Sequence, residues 1–339
     1  MKKAIVPILI FATVYSVCLF AGRYILLNTE FKGFCALTPE YLENIFSHAW
    51  PVSTLLNDFF VQFFRFIYIA PAIVAFIITA TFLITRSIFS KIGVKSSIPG
   101  TVLALASWGY MAEEQDMTIS LAAILIGLVI LIILSAKESP LWEEGTIGLG
   151  ICLMLILGCG IALISNRTLR REETWSAVEY FACTDQWDSV LETLTPEYIV
   201  KEKAFLPYAL LALEANGELE EKKGDYFVVN LEHMEMEGED YHSLLFTSLL
   251  CETQDNPQEA SIMALKAGNL LAHHTSFQTL RRLTELSYSH GNYVLVQKYC
   301  AILRQSLFNR KFADRYLKLA GEEQKNRNRK ILNNIADEG

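Results

Sequence analysis

Charge is spread so unevenly along this chain that its first half has too little polar surface to fold in water. Residues 1–165 carry 9 Lys/Arg and 10 Asp/Glu, whereas residues 166–339 carry 20 and 27. An apolar stretch of that length needs a solvent other than water, and a bilayer supplies one. The chain's mean hydropathy of +0.28 is therefore the average of two unlike compositions and describes neither. The high apolar content, without Gly or Cys periodicity, excludes disordered, collagen-like and disulfide-scaffold classes. A nucleic-acid binder built on a basic surface is excluded too, because residues 166–339 carry a net charge of -7 and repel phosphate.

Five segments of the apolar half are candidates for crossing a membrane. Residues 4–22, AIVPILIFATVYSVCLFAG, form an uncharged run long enough to cross about 30 Å of hydrocarbon. This run is longer than a signal-peptide core, and Arg23 follows it instead of a small-residue cleavage site, so an uncleaved anchor is expected. The second span covers residues 66–84, entered through the aromatic belt Phe59, Phe60, Phe63, Phe64 and Tyr68, with Arg65 reaching for headgroups and Pro71 as an expected kink. Residues 98–112 are the weakest candidate, crossing or re-entrant; residues 117–136 and 146–165 complete the set. Gly148, Gly150, Gly158 and Gly160 in the last invite close helix packing.

Basic residues in short loops set the orientation. Lys2 and Lys3 place the N-terminus in the cytoplasm, and Arg86, Lys91 and Lys95 agree. With five crossings the acidic turn Glu113, Glu114, Asp116 lies outside, but so do Arg167, Arg170 and Arg171; with four crossings the arginines and the acidic turn both move inside. The five-crossing count is preferred, which makes the chain a multi-pass membrane protein with its C-terminal domain on the non-cytoplasmic side.

Beyond residue 165 the pattern becomes amphipathic segments separated by polar turns, so an all-α domain is expected over 166–321, followed by a polar, frayed tail over 322–339. Turns at Asp185-Gln186-Trp187, Gly217-Glu218-Leu219, Asp255-Asn256-Pro257 and Gly291-Asn292-Tyr293 recur at intervals of 32, 38 and 36 residues. Such intervals fit stacked tetratricopeptide-like helical hairpins. Val178, Phe181, Trp187 and Val190 in the first unit, and Leu283, Leu286, Tyr288, Val296, Tyr299 and Leu303 in the last, form the expected core stripes, while residues 228–243 look like an irregular acidic insertion. The fold class is thus all-α, with polytopic transmembrane helices followed by a tetratricopeptide-like array.

Catalytic signatures are lacking. The chain has no H-E-x-x-H, serine elbow, Walker or dinucleotide-binding glycine pattern, and no catalytic, cofactor or metal residue is assigned. The seven cysteines form no CxxC or Cys/His cluster, and the three in the charged half cannot all pair, which fits a reduced setting. His233, Glu235, Glu237, Asp240 and His242 are ligands of the right type for a metal, although a solvated acidic run is the default; His273 and His274, adjacent on a helix, point apart. In the 22–60 loop, Glu30, Glu40, Glu43, His48 and Asp58 lie with Glu113, Glu114 and Asp116 on one face of the membrane. Multi-spanning transferases place an acidic base and a metal-holding carboxylate in such loops.

FKGFCALTPEYLENIF and LLNDFFVQFFRFIYIAPAIVAFII, within residues 31–78, resemble the opening of an uncharacterised family of Gram-negative bacterial multi-spanning membrane proteins carrying a domain of unknown function. YFACTDQWDSVLE and SYSHGNYVLVQKYCAILRQSLF resemble that family's closing helical-repeat region. The resemblance covers about two thirds of the chain. It implies a membrane anchor and a repeat array but no established site, and members of that family usually carry more spans in the middle. The expected function is a membrane-anchored scaffold whose repeat groove binds a protein or peptide, with the bilayer as its other partner and no nucleic acid. The rival is a membrane-embedded transferase using the 22–60 carboxylates.

Overall fold

The computed structural model describes residues 2–36, 38–47, 49–136, 146–226, 236 and 238–337, and all regular structure among them is helical. The chain forms two compact units, one of Met1–Glu30 and Glu40–Ala177, the other of Phe31–Pro39 and Val178–Gly339.

The first unit contains α1 (Lys2–Ala21), α2 (Arg23–Lys32) up to Glu30, α3 (Pro39–Phe46) from Glu40, α4 (Pro51–Val61), α5 (Ile69–Lys91), α6 (Ile98–Glu114), α7 (Thr118–Ile133), α8 (Thr146–Ser165) and most of α9 (Arg167–Ala182). Three helices, α1 from Ala4, α5 and α8, are long and apolar enough to cross a membrane; α7 is apolar but shorter. At 1.5 Å per residue, α6 spans only about 25 Å. The second expected span is displaced: a 3-10 turn over Gln62–Arg65 precedes it, and the helix runs from Ile69 to Lys91. Pro71 falls in its first turn, where amides lack intrahelical acceptors, so the expected kink does not form.

Helix α5 is the hub of this unit. It packs against α1, α6 and α7, while α8 closes onto α1 and α6. Ile10 and Val14, Val74, Ile78 and Phe82, Ala104 and Trp108, and Cys152 and Ile156 are the inward stripes of four helices and meet in one core. Two glycines set the closeness of approach. A Cβ on Gly127 would lie 2.4 Å from Ile84 Cγ2, and one on Gly160 would lie 3.0 Å from Thr13 Cγ2. The other glycines of α8, at 148, 150 and 158, meet no neighbour. Outer faces are as apolar as inner ones: only 22% of the α1 window and 17% of the α8 window is buried, and Phe20, Phe76, Ile147 and Met154 stand exposed. The C-terminal ends of α1, α6 and α8 meet the N-terminal ends of α5 and α7 around one cavity, so successive helices alternate in direction.

Arg86 is 1% exposed and organises the α5–α6 turn. Its Nε donates to Ser97 Oγ at 3.1 Å, Nη1 to the Val94 carbonyl at 3.1 Å and Nη2 to the Lys95 carbonyl at 2.7 Å. Only a planar, branched cation presents three donors in this arrangement.

The second unit completes α9 and continues with α10 (Trp187–Thr193), α11 (Pro196–Lys201), α12 (Leu206–Ala215), α13 (Leu219–Lys222), α14 (Tyr241–Thr253), α15 (Pro257–Asn269), α16 (Phe277–Ser289), α17 (Tyr293–Leu303) and α18 (Arg310–Asp337). Packing follows chain order, with α14 on α15, α15 on α16, α16 on α17 and α17 on α18. Val178, Val190, Leu283, Leu286, Val296 and Leu303 of the expected stripes are buried, whereas residues 228–235 and 237 of the expected acidic insertion lie outside the described residues. The expected tail is helical through Asp337 as part of α18.

Four turns share one geometry. Asp185, Gly217, Asp255 and Gly291 adopt φ of 55°, 71°, 57° and 72°. The next N–H in each bonds back five residues: Gln186 to Phe181 O at 2.9 Å, and Glu218 to Leu213 O, Asn256 to Cys251 O and Asn292 to Ser287 O at 2.8 Å. This is the hydrogen bonding that ends a helix on a left-handed residue. A new helix starts one residue later, at Trp187, Leu219, Pro257 and Tyr293. In the last two turns the intervening asparagine caps it, with Asn256 Oδ1 accepting from Glu259 N and Asn292 Oδ1 from Leu295 N, both at 3.3 Å. The helix pairs are therefore α9/α10, α12/α13, α14/α15 and α16/α17.

Two outcomes test this description. Gly291→Ala places a Cβ on a left-handed residue and is expected to lower unfolding free energy by about 1 kcal/mol, whereas Asp255→Gly raises it by a few tenths; urea titration followed by circular dichroism reads both. Arg86→Leu leaves two carbonyls and a hydroxyl without their donor and is expected to cost about 3 kcal/mol. Arg86→Lys recovers only part of that loss in a melting experiment in detergent.

Candidate functional site

The first helices of three of the pairs, α9, α14 and α16, carry polar residues that meet between them. Residues four apart on one helix share a side, so Ser248 and Glu252 on α14 and Gln278 and Arg282 on α16 form short polar columns, and Glu179 on α9 with Cys183 just past its end forms a third. Glu179, 1% exposed, bonds His242 Nδ1 of α14. Arg282 donates from Nε to Ser248 Oγ and from Nη2 to the Ser248 carbonyl, each at 2.8 Å, and pairs through Nη1 with Glu252 Oε2 at 2.8 Å. Ser248 Oγ donates in turn to the Ala260 carbonyl at 2.7 Å, which ties α15 to the same network.

Electrostatics gives this stripe a positioning character. Burial pushes the Cys183 thiol up to about 12, against a smaller lowering by Arg282, so it is protonated at neutral pH and is a poor nucleophile. The Tyr208 and Tyr241 phenols are pushed well above their ordinary values by burial and by the charge of Glu179. His242 faces Glu179. Hydrogen-bonded charges of this kind hold helices in one register.

Across these helices lies a stretch from the other end of the chain. Phe31 stacks on Tyr180 with centroids 5.2 Å apart, and the Lys32 ammonium sits 4.8 Å from the Tyr241 ring centroid. The Gly33 carbonyl accepts the Phe277 N–H at 3.0 Å, an amide at the start of α16 that has no acceptor within its helix. Phe34 packs beside His273 and Phe277, while Cys35 and Ala36 are buried. The composition of the 22–60 stretch did not single out this role. The one available signal was the apolar run FKGFCA in an otherwise polar loop.

The five expected metal ligands divide. Asp240 caps α14, accepting from His242 N at 2.9 Å, Ser243 N at 3.1 Å and Ser243 Oγ at 2.8 Å, and His242 turns to Glu179; His233, Glu235 and Glu237 lie outside the described residues. His273 and His274 occupy the α15–α16 connection instead of a helix, and His274 has φ of 53°. Among the described residues no three His, Cys, Asp or Glu side chains gather to hold a metal.

Two of the loop carboxylates of the first unit, Asp58 and Asp116, make local hydrogen bonds. Asp58 accepts from Tyr41 Oη at 2.7 Å and from Asn57 Nδ2 at 3.3 Å. Glu30 is buried, Glu40, Glu43, Glu113 and Glu114 are exposed, and His48 is outside the described residues. Asp116 caps α7 through Thr118 N at 2.9 Å and also reaches a cavity of about 80 Å³ walled by Val17, Ala21, Trp108, Met111 and Leu163. Glu173 caps α2 by accepting the Tyr24 and Ile25 N–H groups at 2.9 Å; burial raises its pKa, and those two bonds with Arg23 offset part of the rise. Of the boundary arginines, Arg170 donates from Nε to the Ile164 carbonyl at 2.9 Å and so caps α8.

Comparison with known proteins adds kinship without an activity. The model of a family of unknown function, DUF6057, matches residues 1–169 and 165–337. The chain belongs to that family. No curated protein and no solved structure matches it. The two matched stretches meet where α8 passes into α9, so family kinship extends through both the apolar helices and the paired helices.

Asp240 yields a pH test. Its partial burial raises the pKa, but the bonds from Ser243 and His242 outweigh this and hold it below the usual carboxylate value. The cap's contribution is therefore complete above the unfolded pKa and is lost as pH falls through the depressed folded value. Asp240→Ala is expected to cost about 1 kcal/mol at pH 7 and progressively less as pH falls below the ordinary carboxylate range, read by urea unfolding across that range. Cys183 is expected to resist iodoacetamide at pH 8 until the array unfolds, as followed by peptide mass mapping.

Proposed function

We propose that the chain is a multi-pass scaffold of the bacterial inner membrane whose α9–α18 region is a tetratricopeptide-like array that binds a protein or peptide partner. One observation carries the reading: four turns of the same hydrogen bonding and handedness, 32, 38 and 36 residues apart, each joining two short helices. Stacked helix pairs of this kind present extended surfaces suited to peptides. The anchor rests on the exposed apolar faces of α1, α5 and α8, which suit lipid.

Sidedness follows from two considerations. Lys2 and Lys3 favour a cytoplasmic N-terminus, and the alternating directions of α1, α5, α6, α7 and α8 favour an array on the opposite, periplasmic side. Arg167, Arg170 and Arg171 oppose this assignment, but Arg170 caps the end of α8 and weighs less than a free loop charge.

Two experiments test the proposal. Single cysteines introduced at Asn166 and Gly339 are expected to react with a membrane-impermeant maleimide in intact spheroplasts; protection of both would reverse the sidedness. A photo-crosslinking side chain at exposed Leu265 or Val294 is expected to trap one discrete adduct in cells. Illumination that gives only solvent-quenched protein at both positions removes the partner-binding reading.

A further inference from the structure

The path of residues 31–36 shows what kind of peptide the array accepts. Phe31, Lys32, Gly33 and Phe34 each meet groups of the array. Phe31, at the end of α2, is 7% exposed and stacks on Tyr180 of α9. Lys32 lies over Tyr241 at the start of α14, next to the buried Glu179–His242 pair and within a unit whose acidic excess favours a cation. Gly33 gives its carbonyl to the first amide of α16, Phe34 fills the angle between His273 and Phe277, and Cys35 and Ala36 follow into burial. Phe31 and Lys32 close α2 and Gly33–Ala36 leave it as non-helical chain, so a helix end and the segment after it are read together by side-chain contacts and one backbone bond. A chain segment that merely passed by would leave Phe31, Cys35 and Ala36 in solvent.

We propose that the surface formed by the end of α9 and the N-terminal ends of α14 and α16 is a peptide-recognition site filled in cis by residues 31–36. The partner class it takes in trans is a segment of aromatic–Lys–Gly–aromatic chemistry that leaves a helix at its Lys, which enters as the cis segment leaves. This rests on the partner-binding reading above and names the class of partner. It also means that the site is closed at rest: a partner competes with a tethered copy of its own motif, so its apparent affinity falls by the fraction of time the cis segment is away.

The probe is a synthetic peptide reproducing residues 29–38 with Cys35→Ser, added to the purified full-length protein in detergent. Cys35 of the protein is 4% exposed. The peptide is expected to speed its alkylation at least fivefold and saturably, read by mass mapping, while a scrambled peptide has no effect. A rate unmoved by the peptide overturns the proposal. In the double variant Phe31→Ala/Phe34→Ala the fluorescein-labelled peptide is expected to bind at least tenfold tighter than to the wild type, with helix content unchanged; equal affinity overturns it. Should the double variant fail to fold, the wild-type alkylation assay decides alone. Peptide exchange without a cellular adduct would sink the partner reading and keep the site, whereas an adduct with no peptide exchange would do the reverse.

Discussion

The outward faces of the long helices of the first unit carry Phe20, Phe76, Ile147 and Met154, apolar groups that suit hydrocarbon better than water, and this constraint governs that unit. In hydrocarbon the packing of α1, α5 and α8 gains little from removing apolar surface, since lipid tails are as apolar as leucine. Shape must supply specificity instead. Gly127 against Ile84 and Gly160 against Thr13 admit close helix contact, and Ser107 shares a hydrogen bond with Ser120 at 2.6 Å between α6 and α7. Arg86 belongs to the same logic, because a guanidinium buried at the end of α5 is tolerable only when the turn it enters offers it acceptors.

The second unit runs on water-driven packing with polar restraints inside it. Apolar stripes draw the helices together, but stripes of leucine and alanine permit sliding. The Glu179–His242 pair and the grip of Arg282 on Ser248 and Glu252 remove that freedom, since each bond forms in one register only. Their burial makes a mispaired arrangement costly. The same burial keeps Cys183 a thiol within a helix interface that also contains His and Glu side chains.

Local chemistry was the legible part of this protein. All four turns were readable to the residue, because Gly and Asp tolerate left-handed backbone and Asn caps the next helix, and these preferences act within six residues. The apolar helices were readable from composition, although their limits shifted where the Gln62–Arg65 turn delayed α5. The kink expected at Pro71 failed because a proline's effect depends on how far it lies from the helix start, and hydropathy does not show that. The placing of His273 and His274 in a connection was missed since a helix pattern on both sides hid the break. Residues 31–36 were assigned to a membrane loop, as nothing periodic links Gly33 to Phe277. The loop carboxylates likewise reveal their uses as caps and hydrogen-bond acceptors only once their neighbours are known.

Participation of residues 31–36 in the array has a consequence for how the chain is made. During synthesis this stretch leaves the ribosome before α5 and α8, and well before the helix ends that receive it. Until α16 exists, Phe31 and Phe34 have no receptor and must be kept from other apolar surfaces, the bilayer among them. Closing that contact brings together residues from opposite ends of the chain, which carries a large entropic cost and makes it a late event. A truncated array beginning at residue 166 would fold with this part of its surface unfilled, and the aromatic cleft so exposed would be a site for aggregation.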